Sequence, residues 1–262
     1  MRKNEMRLIS QAISLVLLFA VAAAAQAPIS PAHLKVMTSG GFAAPLAEVL
    51  PEFEKVSGIS VEVARGGSQG SGPDTIRAQL HRKVPADMVI MSREGLNDLI
   101  AEGMIVAHSD VDLASTPLGL SVRAGAPKPD ISTLDVFRRT LLSARSVTFP
   151  ASTSGIYLTR TVFPRLGIAS EMAAKSSNAG VAAVARGDAE IAIQPESELL
   201  HAPGTDFVGL LPTQVQFVSV FSTALVAGSD NAAAARQLVK FLVSGKASGA
   251  MRDSGMLPTG AR

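Results

Sequence analysis

The chain has 262 residues, with 24 Lys and Arg against 22 Asp and Glu, a formal charge of +2, one Tyr, and neither Cys nor Trp. The missing cysteines exclude disulfides, thiolate metal sites and lipid attachment through sulfur. The near absence of Tyr and Trp argues against sugar-binding platforms of stacked aromatic rings.

The basic start "MRKNEMR", the apolar run "LISQAISLVLLFAVAAAA" and the small residues of "AAAQAP" have the layout of a secretory signal peptide over 1–25. A cut after Ala25 is favoured over one after Ala27, which would leave Pro28 next to the scissile bond. An uncleaved anchor is the alternative, since the run approaches spanning length. Cleavage removes Arg2, Lys3, Arg7 and Glu5, leaving 21 basic and 21 acidic residues. The mature chain is then formally neutral, carries no polybasic stretch for nucleic acid, and is expected free in the periplasm as a monomer. Its length suits one large domain or two small lobes.

"LKVMT" (34–38) reads as a buried strand, and Leu46, Val49, Leu50 and Phe53 then fall on one helix face. Pro51 is expected to kink or break that helix. "ISVEV" (59–63) is a second strand, followed by a short helix over 76–82. "DMVIM" (87–91) is a third, followed by a helix lined by Leu96, Leu99 and Ile100. After the extended "LGLSVRAG" (118–125) and the stiff "APKPD", Ser132 is expected to cap a helix bearing Leu134, Asp135, Phe137 and Leu141. A strand at 146–149, helices at 156–166 and 179–185, and a strand at 190–193 follow. A long strand at 217–228 leads into a last helix with Leu238, Phe241 and Leu242 on its apolar face.

This alternation predicts an α/β fold of two lobes, with mostly parallel sheets and helices on both faces. The extended segments near 118 and 217 read as a two-strand hinge. One lobe would comprise 28–117 and 226–262, and the other 118–225.

Three loops carry the chemistry. "TSGG" (38–41), "RGGSQGSG" (65–72) and "PASTSG" (150–155) each follow a strand and precede a helix. Ligands in such sheets sit beyond the strand carboxyl ends, and helix N-termini offer unpaired N–H groups to an anion. Each loop alone is an ordinary turn or cap. Three at equivalent positions, split between two lobes, point to an anion cradle.

The motifs "TSGGF", "GSGPDTIRAQL", "VPADMVIMS", "TSGIY", "VARGDAEIAI" and "FSTALVAGS" together resemble the periplasmic molybdate-binding protein family over nearly all the mature chain. The resemblance implies a type 2 periplasmic binding fold that delivers its solute to an ABC permease, with no enzymatic activity, cofactor or metal site. It further implies a molybdate-like oxyanion held by backbone N–H groups and serine hydroxyls from Ser39, Gly40, Ser71, Gly72, Ser154 and Gly155, with the 178–181 turn nearby. One departure stands out: the family's ligand-binding tyrosine falls at Gln194 or Pro195. Gln194 is the candidate replacement donor, and Arg65 a candidate partner for a carboxylate. A small organic carboxylate is therefore the alternative ligand.

The sequence also admits a different class of function. Gly66, Gly67, Ser68, Gln69 and Gly70 contain a Gly-x-Ser-x-Gly pattern, with Asp188 and His201 later in the chain, as in a serine hydrolase. Gly70–Ser71–Gly72–Pro73 delay the following helix, which argues against the strained elbow that such a nucleophile needs.

Overall fold

The computed structural model describes residues 33–259. The expected signal segment, 1–25, lies outside these residues.

The first sheet is built from β1 (His33–Thr38), β2 (Ser60–Arg65) and β3 (Met88–Ser92), with β1 central and parallel to both neighbours. The helices α1 (Gly40–Ser57), α2 (Ile76–His81) and α3 (Arg93–Ala101) follow these strands in turn. Side chains alternate across a strand, so β1 feeds two cores. Leu34 and Val36 join Phe42, Leu46 and Phe53 on one face, while Met37 joins Ile76, Met91 and Leu96 on the other. Burial on both faces explains why β1 and β3 read as largely apolar runs, whereas the edge strand β2 is mostly exposed.

A long strand, β4 (Val111–Arg123), runs from this sheet into a second. Over Val111–Pro117 it pairs with β9 (Val218–Leu225), and over Leu118–Val122 it pairs with β7 (Ile191–Pro195). The second sheet also holds β5 (Val147–Thr148), β6 (Ser176–Ser177) and β8 (Thr205–Leu210), and β10 (Leu257–Pro258) returns to the first. Consecutive strand–helix–strand units pair in parallel, whereas every pairing of β4 or β9 is antiparallel. The sheets are therefore more mixed than the alternation of strand and helix implies.

Where β4 changes partner, one amide ties the crossing segments. Gln216 Nε2 donates to the carbonyls of Leu118 (3.0 Å) and Leu211 (3.2 Å). Its Oε1 accepts from the N–H groups of Leu118 (2.8 Å) and Phe217 (2.9 Å).

The second sheet is covered by α4 (Leu134–Ser143), α5 (Thr153–Tyr157), α6 (Phe163–Arg165), α7 (Ala169–Lys175), α8 (Val181–Arg186) and α9 (Glu196–Leu199). A π-helical turn, Leu158–Val162, joins α5 to α6. The C-terminal helices α10 (Ala232–Leu242) and α11 (Gly245–Asp253) pack on the first sheet, with Leu238, Phe241 and Leu242 in its core.

Several local expectations change. The cap of α4 is Thr133, whose side chain accepts from Val136 N–H, because Ser132 is one residue too early and instead sits in a turn made by Asp130. Helix α1 runs unbroken through Pro45 and Pro51. Leu50 and Phe53, buried on either side of Pro51, hold it in the core despite the lost N–H bond. The helix expected from 156 begins at Thr153, closer to the loop before it.

Candidate functional site

The carboxyl ends of β1, β2, β3, β5 and β7 converge on a cavity of about 240 Å³ between the two sheets. Ser39 and Gly40 enter it from β1, Gly67 and Ser68 from β2, and Ser92 from β3. Ser152 to Ser154 follow β5, and Glu198 follows β7. Such convergence is general for α/β sheets, where the strand ends leave a crevice flanked by helix N-termini.

Ser39 is the N-cap of α1, yet its side chain makes no capping bond. The residue is buried, and its hydroxyl has no hydrogen-bond partner among the described residues. A buried hydroxyl without a partner is costly, and this one lines a cavity. Glycine at 41 lets α1 come this close to its neighbours, and glycine at 40 leaves room for the Glu198 carboxyl. A Cβ on Gly41 would lie 2.1 Å from the Phe221 ring, and one on Gly40 would lie 2.8 Å from Glu198 Oε2.

Hydroxyls bridge the cleft directly. Ser92 Oγ and Thr153 Oγ1 are 2.8 Å apart, and Gln69 N–H donates to Ser152 Oγ at 3.2 Å. Ser68 Oγ accepts from Ser92 N–H at 2.9 Å, which leaves its own proton to donate.

Glu198 sits on the single turn of α9 and borders both this cavity and an adjoining one of about 450 Å³. Gln194 Nε2 donates to Glu198 Oε2 at 3.0 Å, while Gln194 Oε1 accepts from Val181 N–H at 3.0 Å. The amide of Gln194 is thus occupied in positioning Glu198 and the start of α8. Burial pushes the Glu198 carboxyl up to about 7, and the charge of Arg65 opposes this more weakly. Among the described residues, Glu198 is the one titratable side chain that lines the smaller cavity.

The candidate residues divide accordingly. Ser39, Gly40 and Ser154 line the smaller cavity. Gln194 and Gly72 border the larger adjoining space. Ser71 does neither: it is exposed, because the glycine-rich turn carries it outward before Thr75 caps α2. Ser68, buried three residues earlier, occupies the place expected of Ser71. Gly155 is buried beneath the Pro150 carbonyl, where a Cβ would lie 2.1 Å from that oxygen, and it shapes the loop without lining the cavity. Arg65 is exposed at the end of β2, outside both cavities.

Glu198 escaped the sequence reading because acidic residues in a first helical turn are ordinary dipole partners. Its position four residues beyond Gln194, at the end of a strand expected to reach the cleft, was the available signal.

The hydrolase arrangement is not assembled. Asp188 pairs with Arg186, and His201 Nε2 contacts the Asp253 carbonyl at 2.7 Å. Neither lines the cavity that holds Ser68. A larger cavity, about 920 Å³, lies at the opposite end of the second sheet, where Arg145 pairs with Glu190, away from the converging loops. Among the described residues, no group of three or more His, Cys, Asp or Glu is placed to hold a metal ion.

The fold joins two α/β sheets with a crevice between them, and residues 34–257 match the model of the bacterial extracellular solute-binding proteins. The chain belongs to the bacterial extracellular solute-binding proteins. It is 39% identical over 260 residues to an aconitate isomerase from a Pseudomonas species, covering 98% of both chains. In fold it is similar to the periplasmic molybdate-binding protein of Azotobacter vinelandii, with a TM-score of 0.69 and 18% identity over 86% of this chain and 98% of that one. It is also similar to the sulfate-binding protein of Mycobacterium tuberculosis, with a TM-score of 0.66 and 19% identity over 88% of each chain. The near-full-length relative bears the name of an enzyme, which overturns the expectation that catalysis is excluded.

Proposed function

We propose that this protein binds a small unsaturated polycarboxylate of the aconitate class in the cleft between its sheets and isomerises it in the periplasm. The observation that carries this reading is the 39% identity to an aconitate isomerase across 98% of both chains. The cavity supports it. Its volume of about 240 Å³ corresponds to roughly eight waters, more than a tetrahedral oxyanion fills and enough for an acid of about a dozen non-hydrogen atoms. Ser39, Ser68 and Ser154 supply neutral donors for carboxylate oxygens, and the start of α1 supplies a favourable dipole.

The departure at Gln194 weighs against molybdate as the ligand: where the resembled family has a tyrosine donor, this chain has an amide already committed to Glu198 and to Val181 N–H.

Family membership favours a second role, delivery of the bound acid to an ABC permease. In both roles the two lobes, 28–117 with 226–262 and 118–225, would hinge where β4 changes partner and close over the ligand.

The test is direct. Purified protein incubated with trans-aconitate is expected to raise its melting temperature and to produce cis-aconitate, followed through the alkene proton signals by NMR. A protein that binds aconitate without converting it would be a carrier, and one that ignores aconitate would refute the reading.

A further inference from the structure

Isomerising such an acid requires a group that moves a proton on and off carbon. Hydroxyls of Ser and Thr are poor carriers without a partner base, and no histidine lines the cavity. Resting on the function proposed above, we infer that Glu198 is the catalytic residue that carries this proton.

Three features of its placement support the assignment. Glu198 lies at the junction of the two cavities, which share Gly67, Pro150, Ser152 and Glu198 in their walls, so a ligand filling either space meets it. Gln194 Nε2 holds one carboxyl oxygen and is itself fixed by Val181, which sets the carboxyl plane. Glycine at position 40 leaves the carboxyl open toward the start of α1, where any side chain would crowd it.

The step balances without oxidant or reductant. Glu198 takes a proton from the methylene carbon of the bound acid: that C–H bond breaks, an O–H bond forms, and the electron pair spreads over the adjoining alkene and carboxylate. The carboxyl then returns the proton to the far alkene carbon, so a new C–H bond forms, the double bond moves to the former methylene, and Glu198 is again a carboxylate. The relocated double bond closes in either geometry, which exchanges cis and trans forms. The serine hydroxyls and the α1 terminus would hold the charge gathered on the substrate carboxylate during transfer. A carboxyl lifted by burial toward neutral pH is matched to this work, since a base functions best near the operating pH.

The deciding experiment compares wild type, Glu198→Gln and Glu198→Asp with trans-aconitate in D₂O, read by proton NMR. Wild type is expected to isomerise the acid and, in turnovers where the Glu198 O–H exchanges with solvent before the proton returns, to place deuterium on its carbon. Glu198→Gln is expected to lose both by 1,000-fold or more, on the order of what removal of a positioned acid–base group costs, while keeping the ligand-induced thermal shift. Glu198→Asp, which retains a carboxyl, should keep detectable exchange. Turnover by Glu198→Gln within tenfold of wild type would overturn the assignment, as would a variant that folds but no longer shows the thermal shift, making Glu198 a binding group. An inert wild type would instead refute the function on which the assignment rests.

Discussion

Ser39 sits at the N-cap of an 18-residue helix with its hydroxyl buried and without a partner among the described residues, which leaves it available to the ligand of the proposed function. Ser39→Ala removes no bond among the described residues and takes away a buried hydroxyl that lacks a partner, so ligand-free stability is expected to hold or to rise by up to about 1–3 kcal/mol. It should weaken aconitate binding by about 10- to 100-fold, because a hydrogen bond to a charged group contributes roughly 1.5–3 kcal/mol. Calorimetry beside urea unfolding separates the two effects, and a loss of stability without loss of affinity would contradict the role. Glu198 gives the second residue-scale prediction. Its carboxyl titrates at about 7 in the folded chain against an ordinary 4.5. Between these values the folded state holds a proton that the unfolded state has released, so stability falls as pH rises through the window. The favourable contribution is complete below the ordinary value and gone above the folded one. Glu198→Gln should abolish this slope, so the variant gains on wild type between about pH 5 and about pH 8 in urea titrations.

Among the elements, α1 shows how tertiary burial overrides local preference. Pro51 lies on the exposed side of the helix and cannot donate to the carbonyl of Ala47. Phe42, Leu46, Leu50 and Phe53 keep the segment helical all the same, since they anchor the core of the first sheet. Pro51→Ala restores the missing donor and is expected to stabilise the protein by about 1–2 kcal/mol, less than the full cost of a helical proline because the unfolded chain gains freedom too. Unchanged or lower stability in urea would show that the helix has already adapted around the ring. The apolar spacing of α1 and the continuous apolar runs of β1 and β3 were legible because each is dictated by local periodicity. The short elements β6, β8, α7, α9 and α11 were not. Each is a few residues long or, as in α11, rich in Gly, Ala and polar residues, and is fixed by packing rather than by its own pattern. The site divided the same way. Loops that follow strands could be read as a cradle, but whether Ser68 or Ser71 turns inward depends on the course of the glycine-rich turn, which composition does not specify.

At the scale of the whole molecule, β4 is shared: its first half belongs to one sheet and its second half to the other. The long extended runs near 118 and 217 were visible in the sequence, whereas the partner change at Pro117–Leu118 and the clasp of Gln216 around Leu118 depend on contacts between residues 98 positions apart. Long separations in sequence likewise divide the groups that meet across the cleft, 61 positions between Ser92 and Thr153 and 83 between Gln69 and Ser152.

Those two cross-cleft hydrogen bonds also bear on timing. Each contributes roughly 0.5–1.5 kcal/mol, so neither of these two contacts is by itself a strong fastening. A carrier gains from holding its cargo until a receiver pries it loose. A catalyst must let each product go before the next substrate enters. Fastenings of this strength across the strand-end loops suit the brief occupancy that the proposed conversion would need, rather than storage.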